Sequence, residues 1–504
     1  MDQQHLFEPI PHDKYDLLSR DELVGLSRDQ ADLIKQMQRA LKEAHNKILA
    51  GEQKSFILGE QLFTIKNKLF GKSSEKSNKS KGSKKGKGAK SSKKRVRLPS
   101  ERYSNLEVIE KDVEFDELPS CPCCSAKMKD SGLFETNEYL TYIPRQYYIA
   151  REKKHKYNCP SCMEGLVTTP AIPRVIPGGA YSDEMIIDVA MSKYLDLLPI
   201  ERYTHIASRE GLEGLPANSL INTTHKLADF LELIHEKIKK EVFGSKIIYA
   251  DETPHRMLEG DKKSNWYTWG FSNGSASFFD IRDTRSGDVA SDLLEGSDCE
   301  YLVSDVYSGY AKAVREANEK RDLKIKHLYC NAHARRKFKD CEKNFEEEVK
   351  LFLKCYEKIY RLESKELESK LSPKRKREYQ RLYMRVMHRR ALELQSKHSG
   401  LISLTKACAY FTKNYESLVR FTTDLSLPLD NNAQERELRS PVIGRKTWYG
   451  THSKRGAKTT AMLFTIVQSC KLNGLNPREY VRDVVRLLHQ NLEAPSPSEY
   501  KKRK

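Results

Sequence analysis

What this chain lacks narrows its function first. Its 504 residues contain no apolar run approaching the roughly 20 that a membrane helix needs. Met1 to Pro11 is polar and has no apolar core of a secretory leader. The eleven cysteines are therefore expected to be reduced thiols in a cytosolic protein, some of them binding metal. No convincing serine or tyrosine nucleophile motif is present, which argues against chemistry through a covalent protein intermediate. A net negative charge is lacking too: the formal charge is +19.

That excess is uneven. Lys72 to Arg97 holds twelve basic residues and one acid, and almost no large apolar side chain. Such a tract cannot bury enough surface to offset its ordering entropy, so it reads as a disordered basic linker. A strongly basic chain binds a polyanion by releasing counterions from phosphates, and DNA is the expected partner. A solvated tail without a partner is the plainer alternative for the tract alone.

At this length several units are expected, in a multidomain α/β arrangement. Segment 1–71 is helical and carries a heptad beat (Ile34, Met37, Leu41, Ala44, Ile48, then Leu58, Leu62, Ile65, Leu69), which fits a coiled coil and self-association, or a helix packed on the chain itself. The basic linker spans 72–101. A cysteine module occupies 102–173 and a helical, DNA-binding region 174–244, with breaks at Pro199 and Gly211–Pro216. Strands are expected at 246–251, 265–271, 275–282, 300–305 and 324–330, with a hairpin at Asn273-Gly274 and a helix over 309–320. Three antiparallel strands followed by alternating helix and strand is the order of an RNase H-like core, whose first part is 245–333. Residues 334–423 read as an all-helical insertion. Residues 424–492 complete the core, through a helix near 433–438, a loop containing Gly444, Gly450 and Gly456, and helices near 458–472 and 477–490. Residues 493–504 read as a basic tail.

Cys121-Pro-Cys-Cys124 and Cys159-Pro-Ser-Cys162 are two C-x-x-C knuckles separated by 34 residues. Zinc takes four soft ligands in a tetrahedron, and Cys121, Cys124, Cys159 and Cys162 supply them for a structural site. Cys123 could replace a neighbour or stay free, and His155 is an alternative ligand. No thioredoxin-like pattern surrounds the knuckles to favour a redox role. Cys299, Cys330, Cys341, Cys355, Cys408 and Cys470 read as structural.

Two hydrophobic strands end on acids: Lys-Ile-Ile-Tyr-Ala-Asp251 and Tyr-Leu-Val-Ser-Asp305. A strand-end acid points into the crevice at the carboxyl edge of a sheet. A desolvated carboxylate must be paired, protonated or metal-bound. Two in this strand order favour a site for hard divalent cations, Mg²⁺ or Mn²⁺, two per site. The third acid stays open among Asp430, Glu435 and Glu437. His333, Arg335 and Arg336 follow the last core strand, either gripping phosphate and orienting a water or forming a solvated helix start. Arg436, Arg439, Arg445 and Lys446 lie beside the acid cluster, tracking the DNA backbone or offsetting its charge. Trp448 and Tyr449 fit core packing better than base stacking.

Several ordered motifs together resemble the IS66-family transposases. They are Lys68-Leu-Phe-Gly-Lys-Ser-Ser-Glu-Lys76, the two knuckles, Asp251-Glu-Thr-Pro, Ser304-Asp-Val-Tyr-Ser-Gly-Tyr310 and Cys330-Asn-Ala-His-Ala-Arg-Arg-Lys-Phe338. Asp430-Asn-Asn-Ala-Gln-Glu-Arg-Glu-Leu-Arg439 and Asn473-Gly-Leu-Asn-Pro477 complete the set, so the resemblance runs from about Ile34 to Leu488. Ser440 departs from it, standing where the family usually has proline. The resemblance implies a DDE transposase with Asp251, Asp305 and Glu435 as metal ligands. It also implies cleavage at element ends followed by strand transfer, accessory proteins from the same element, and a bacterial cytoplasmic, nucleoid-associated setting. A nuclease or resolvase on the same fold, which cuts without joining, and a zinc-dependent DNA-binding regulator with structural acids are the competing readings.

Overall fold

The computed structural model describes residues 98–110, 119–120, 123, 125–128, 137–158, 166–258, 265–321, 323–364, 371–397 and 403–503. The heptad segment, the basic tract 72–97 and all four knuckle cysteines Cys121, Cys124, Cys159 and Cys162 lie outside them. The chain divides into two compact units, one formed by 73–153 with 209–212 and the other by the rest. In the smaller unit a single helical turn, Pro99–Arg102, is tied down where Ser100 donates from its amide and its hydroxyl to the Glu138 carboxylate, at 2.9 and 2.8 Å. The residues that follow belong to the larger unit, apart from residues 209–212 and Cys123.

Four helices lead into the sheet: α1 Asp183–Tyr194, α2 Ile200–Arg209, α3 Ala217–Phe230 and α4 Glu232–Phe243. Ser182 caps α1 by accepting from the Met185 amide, and Gly211 and Gly214, at φ +90° and +75°, release the chain between α2 and α3. The remaining break, at Leu231, carries no glycine or proline and is invisible to a search for helix breakers.

The sheet has five strands: β1 Ile247–Arg256, β2 Asn265–Ser272, β3 Ser277–Arg282, β4 Tyr301–Ser304 and β5 Lys326–Tyr329, in the order β3-β2-β1-β4-β5. The first three are antiparallel, and β4 and β5 run parallel to β1. The turn at Asn273–Ala276 has Gly274 at φ +90°, and the Asn273 side chain accepts from the Ser275 and Ala276 amides. Two helices cross between the parallel strands, α5 Gly287–Leu294 and α6 Ser308–Arg321. The sequence pattern missed α5, because at eight residues it is too short to show a period.

Strand β1 is also longer than expected. It runs five residues past Asp251, because β2 stays paired with it to Arg256, whereas β4 pairs only with Ile247–Tyr249. Between Tyr249 and Arg256, where Thr451 takes over the pairing, β1 has no strand on one side, and Pro254 falls in this stretch, where a missing N–H is tolerated. Asp251 therefore sits at a fork in the sheet and not at a strand end.

Alternate residues of β1 face two cores. Ile248 and Ala250 enter the larger core with Leu302, while Ile247 and Tyr249 pack against a second one with Val303 and Leu328. That second core belongs to the helices after β5: α7 Asn331–Cys341, α8 Glu346–Leu362, α9 Pro373–Lys397, α10 Ser403–Lys413 and α11 Tyr415–Val419. Phe338 stacks on Phe352 at 4.0 Å and Phe411 meets both edge-on, so this helical region buries a core of its own.

The chain returns through α12 Asn432–Glu437, α13 Arg439–Trp448, α14 Lys454–Leu472, α15 Pro477–His489 and α16 Pro497–Arg503. Two expectations change here. The segment around Gly444 is helix and not loop: Gly444 is there because a Cβ would stand 2.5 Å from the Trp448 ring. The segment expected as a basic tail is anchored within 493–503, where Tyr500 is buried against Tyr480 and bonds Asp483.

Helix α14 closes the free edge of β3. Its Thr465, Ser469 and Asn473, spaced four apart on one face, bond the Phe279 amide (2.9 Å), the Ser277 amide (3.0 Å) and the Ser275 carbonyl (2.7 Å). Ser469 also donates to the Ser277 carbonyl. Side chains thus stand where a sixth strand would pair, and the edge cannot template association along this stretch. Ser469→Ala leaves the buried Ser277 amide without a partner and should cost about 1–3 kcal/mol in denaturant unfolding. An unchanged midpoint would mean that the edge is satisfied in some other way.

Candidate active site

The register of the sheet brings the two aspartates level. Tyr249 pairs with Val303 across the parallel strands, so two residues further on Asp251 and Asp305 lie side by side on the same face. Each carboxylate is aimed by one local amide: Asp251 Oδ1 accepts from Glu252 N at 3.0 Å, and Asp305 Oδ1 from Tyr307 N at 3.1 Å.

The third acid reaches them through α12. Just before this helix, Asn431 donates to the Ala250 carbonyl on β1 at 2.8 Å, and its own amide donates to the Cys330 sulfur at 3.3 Å. Asn331 holds the same loop, donating to the carbonyls of Leu429 and Leu418. The helix then crosses the sheet at Gly270, the residue paired with Asp251, where a Cβ would stand 2.3 Å from the Gln434 amide nitrogen. A side chain here would have to displace the buried Gln434 amide and crowd Phe279 and Leu438. Asn431 and Gly270 escaped attention in the sequence, where neither carries chemistry and only an asparagine pair and a strand glycine are visible.

The geometry separates the three acids left open there. Asp430 is occupied: it accepts from Tyr360 Oη at 3.0 Å and from the Asn432 amide and side chain. Glu437 lies two positions round the helix from Glu435, with its charge facing Lys471 and Arg436, and burial pushes it up to about 7. Glu435 faces the aspartates. Its Oε1 is buried without a hydrogen-bond partner, 3.7 Å from His333 Nδ1, which is equally unpartnered. The spare acid Glu252 is taken by Arg285 and Tyr310 and is 2% exposed.

Burial is the main force on this cluster. It pushes Asp251 up to about 8, reinforced by the charges of Glu252, Asp305 and Glu435, and it raises Asp305 against the opposing pull of His333 and Arg285. Groups that repel one another in a half-closed crevice, with an orphaned oxygen among them, fit a divalent cation. Cys330, His333 and Glu435 also converge, with ligand atoms within 4.8 Å of one another. Burial holds the Cys330 thiol protonated, up at about 12.

The basic residues separate by position. Arg336, Arg436, Arg439 and Lys446 are exposed, and Arg335 is half-buried on α7. Arg445 instead turns inward beside His255, Trp448 and Phe464, and with burial it pushes His255 down to about 4. Trp448 packs against Tyr194 and Phe464, while Tyr449 is exposed at φ +63°. The six scattered cysteines are all buried, and Cys123 and His155 are exposed.

Between about pH 4 and pH 8 the folded chain holds a proton on Asp251 that the unfolded chain, with an ordinary value of 3.8, has released. Without added metal, stability therefore falls as pH rises through that window. The Asp251→Asn variant stays neutral throughout, so its melting temperature should decline less between pH 5 and pH 8, and Mg²⁺ should raise the wild type at pH 8 more than the variant. Parallel pH curves with and without the substitution would refute the shift.

Three curated relatives match most of this chain, all uncharacterized proteins of Sinorhizobium fredii (strain NBRC 101917 / NGR234). Protein y4hP is 24% identical, covering 73% of this chain and 70% of its own length. Protein y4jD is 25% identical, covering 73% and 74%, and y4qI is 25% identical, covering 80% and 76%. The family model for the IS66 family of transposases matches residues 178–459, from just before α1 into α14 and across all five strands and the acid cluster. This chain belongs to the IS66 transposase family.

Proposed function

We propose that the chain is a DDE transposase that cleaves DNA at the ends of its element and transfers the freed 3′ ends into target DNA. The observation that carries this reading is the alignment of Asp251 and Asp305 across β1 and β4, with the unpartnered Glu435 Oε1 turned towards them. The strand order β3-β2-β1-β4-β5 supports an RNase H-like core, into which α7–α11 form the helical insertion between the second and third acids.

In this reading Asp251, Asp305 and Glu435 hold two Mg²⁺ or Mn²⁺ ions. When bound, such ions polarise the scissile phosphate and make a water or a 3′-hydroxyl a competent nucleophile near neutral pH. The protein's own part is positional. Asn431 and Asn331 fix α12, so Glu435 meets the aspartates without reorganising. Arg285 and Tyr310 neutralise Glu252 and keep it out of the ligand set. His333 orients Glu435 or a phosphate oxygen, while Arg335 and Arg336 on the same helix, with Arg436, Arg439 and Lys446, bind the DNA backbone. Arg445, packed inward, supports α13. Zinc on the two knuckles, self-association through the heptad segment and accessory proteins of the same element belong to this reading too.

Strand-transfer assays with DNA ends from the flanks of the gene, in Mg²⁺ or Mn²⁺, test it directly. Joined products should form with the wild type and fall by at least about a hundredfold in Asp305→Asn. Cleavage without joining would favour a nuclease, and DNA binding that ignores both metal and the substitution would favour a regulator.

A further inference from the structure

Away from the acids, the molecule has an open cavity of about 470 Å³ at the outer edge of the sheet. It lies where β3 emerges from under the start of α14. The first outward amides of β3, at Ser277 and Phe279, are covered by α14, but the next, at Ile281, bonds only the side chain of Asp280. The edge is therefore uncovered here. The walls come from α4, from the start of β2 and from the first two turns of α14.

The lining has the chemistry of a nucleotide site. Trp266 is half-buried at one side and leaves part of its ring system accessible. Lys239, Lys454 and Lys458 stand around it. Lys458 pairs with Glu232, while Lys239 and Lys454 have no carboxylate partner among the described residues. The positive end of α14, a helix of 19 residues, adds to their field. Of the acids on the lining, Asp280 is already bound by Arg282 and by the Ile281 amide, and Asp283 is exposed. His235 adds an aromatic ring to the wall. It lines the cavity with its side chain 11% exposed, its ring lies against Phe278, and its Nε2 is buried without a hydrogen-bond partner. The Nδ1 side faces Glu236 at 3.3 Å, and Nε2 is covered, so the ring contributes to the wall as a flat surface beside Trp266.

The cavity also lies within reach of the chemistry. Asp251 pairs with Gly270, and Gly270 with Phe279, which lines the cavity. Two strand spacings put the near wall, at Phe279, about 10 Å from Asp251, while Trp266 stands further along the sheet, opposite His255, so the span to the acids is several nucleotides of extended DNA. A cavity of this size accepts a small ligand.

We propose that this cavity holds an unpaired nucleotide of the DNA substrate, its base on Trp266 and His235 and its phosphates on Lys239, Lys454 and Lys458. The assignment rests on DNA being the substrate, and it adds a subsite for a base drawn out of the duplex several nucleotides from the reacting phosphate. A base held there anchors one strand while the acids act further along it.

The test uses the full chain and three DNA probes: a paired duplex, the same duplex with one unpaired 2-aminopurine, and the same duplex with an abasic site there. The wild type should bind the unpaired probe about tenfold more tightly than the paired one and quench its fluorescence. Lys239→Glu combined with Lys454→Glu should remove most of that preference. Trp266→Ala should abolish the quenching and Trp266→Phe should restore part of it, with circular dichroism showing that each variant is folded. Equal affinity for paired and unpaired probes would overturn the subsite, while strand transfer lost in Asp305→Asn would leave the transposase reading standing. An abasic probe that binds as well as the unpaired base would reduce the site to a phosphate contact and overturn the base assignment. Preference for the same unpaired probe made of RNA would overturn the DNA assignment, and no binding to any DNA would overturn the subsite together with the reading it rests on.

Discussion

Three carboxylates pressed together in a crevice repel one another, and much of the surrounding structure keeps that repulsion from opening the site. The constraint is visible in Asp251, pushed up to about 8, and in the bonds that surround it. Asn431 ties the start of α12 to the Ala250 carbonyl, one residue before Asp251, so Glu435 cannot retreat without breaking a buried hydrogen bond. Asp430 is diverted to Tyr360, and Glu252 to Arg285 and Tyr310. Five acids thus lie near one another, but only three have charges left to share. A cation is the simplest agent that turns their repulsion into attraction.

The sheet's share of this arrangement was legible in the sequence. The runs Ile247-Ile248-Tyr249 and Tyr301-Leu302-Val303 are apolar because each strand is buried on both sides, and an acid after such a run stands out. Spacing alone left the third acid open, because three carboxylates within eight residues differ only in what they face, and only the family resemblance pointed to Glu435. That difference is made by tertiary contacts far away in sequence: Asn431 ties the helix start to Ala250, and Gly270, 165 residues before Glu435, leaves room for the Gln434 side chain. The extension of β1 past Asp251 escaped for a related reason: strand length is decided by the partner, and β2 outlasts β4. The glycines near 444 read as loop signals, yet Gly444 sits inside a helix to make room for Trp448, and a basic composition hid the amphipathic anchoring of Tyr500.

The helical region between β5 and α12 follows the same logic of separate cores. It meets the sheet mainly through Tyr249, Tyr301, Val303, Leu328 and Tyr329, and buries the rest of its apolar surface internally around Phe338, Phe352 and Phe411. A segment that is self-sufficient in this way can stand between two residues of one site without pulling them apart. What joins it to the site is short and polar. Arg420 donates to the His327 carbonyl at the end of the sheet, and Asn331 spans the loop before α12.

Cys330 shows why proximity of ligand types is a weaker guide than their state. With His333 and Glu435 it makes a trio that a soft metal could use. The thiol, however, is fully buried, held protonated by desolvation, and already accepts a hydrogen bond from the amide of Asn431. Drawing it into a coordination sphere would mean removing its proton in an apolar setting and releasing the loop that positions Glu435. The aspartates carry no such obligation, since each is held by a single local amide and has oxygens left over. In the proposed reading this balance favours hard cations on oxygen ligands and leaves sulfur as a fixed part of the frame. In that frame His333 stands at the boundary, close enough to Glu435 to orient it and on the helix that carries Arg335 and Arg336. The residue beside Glu435 and the two arginines that the proposal assigns to the DNA backbone are thus held by one helix, one to three residues apart.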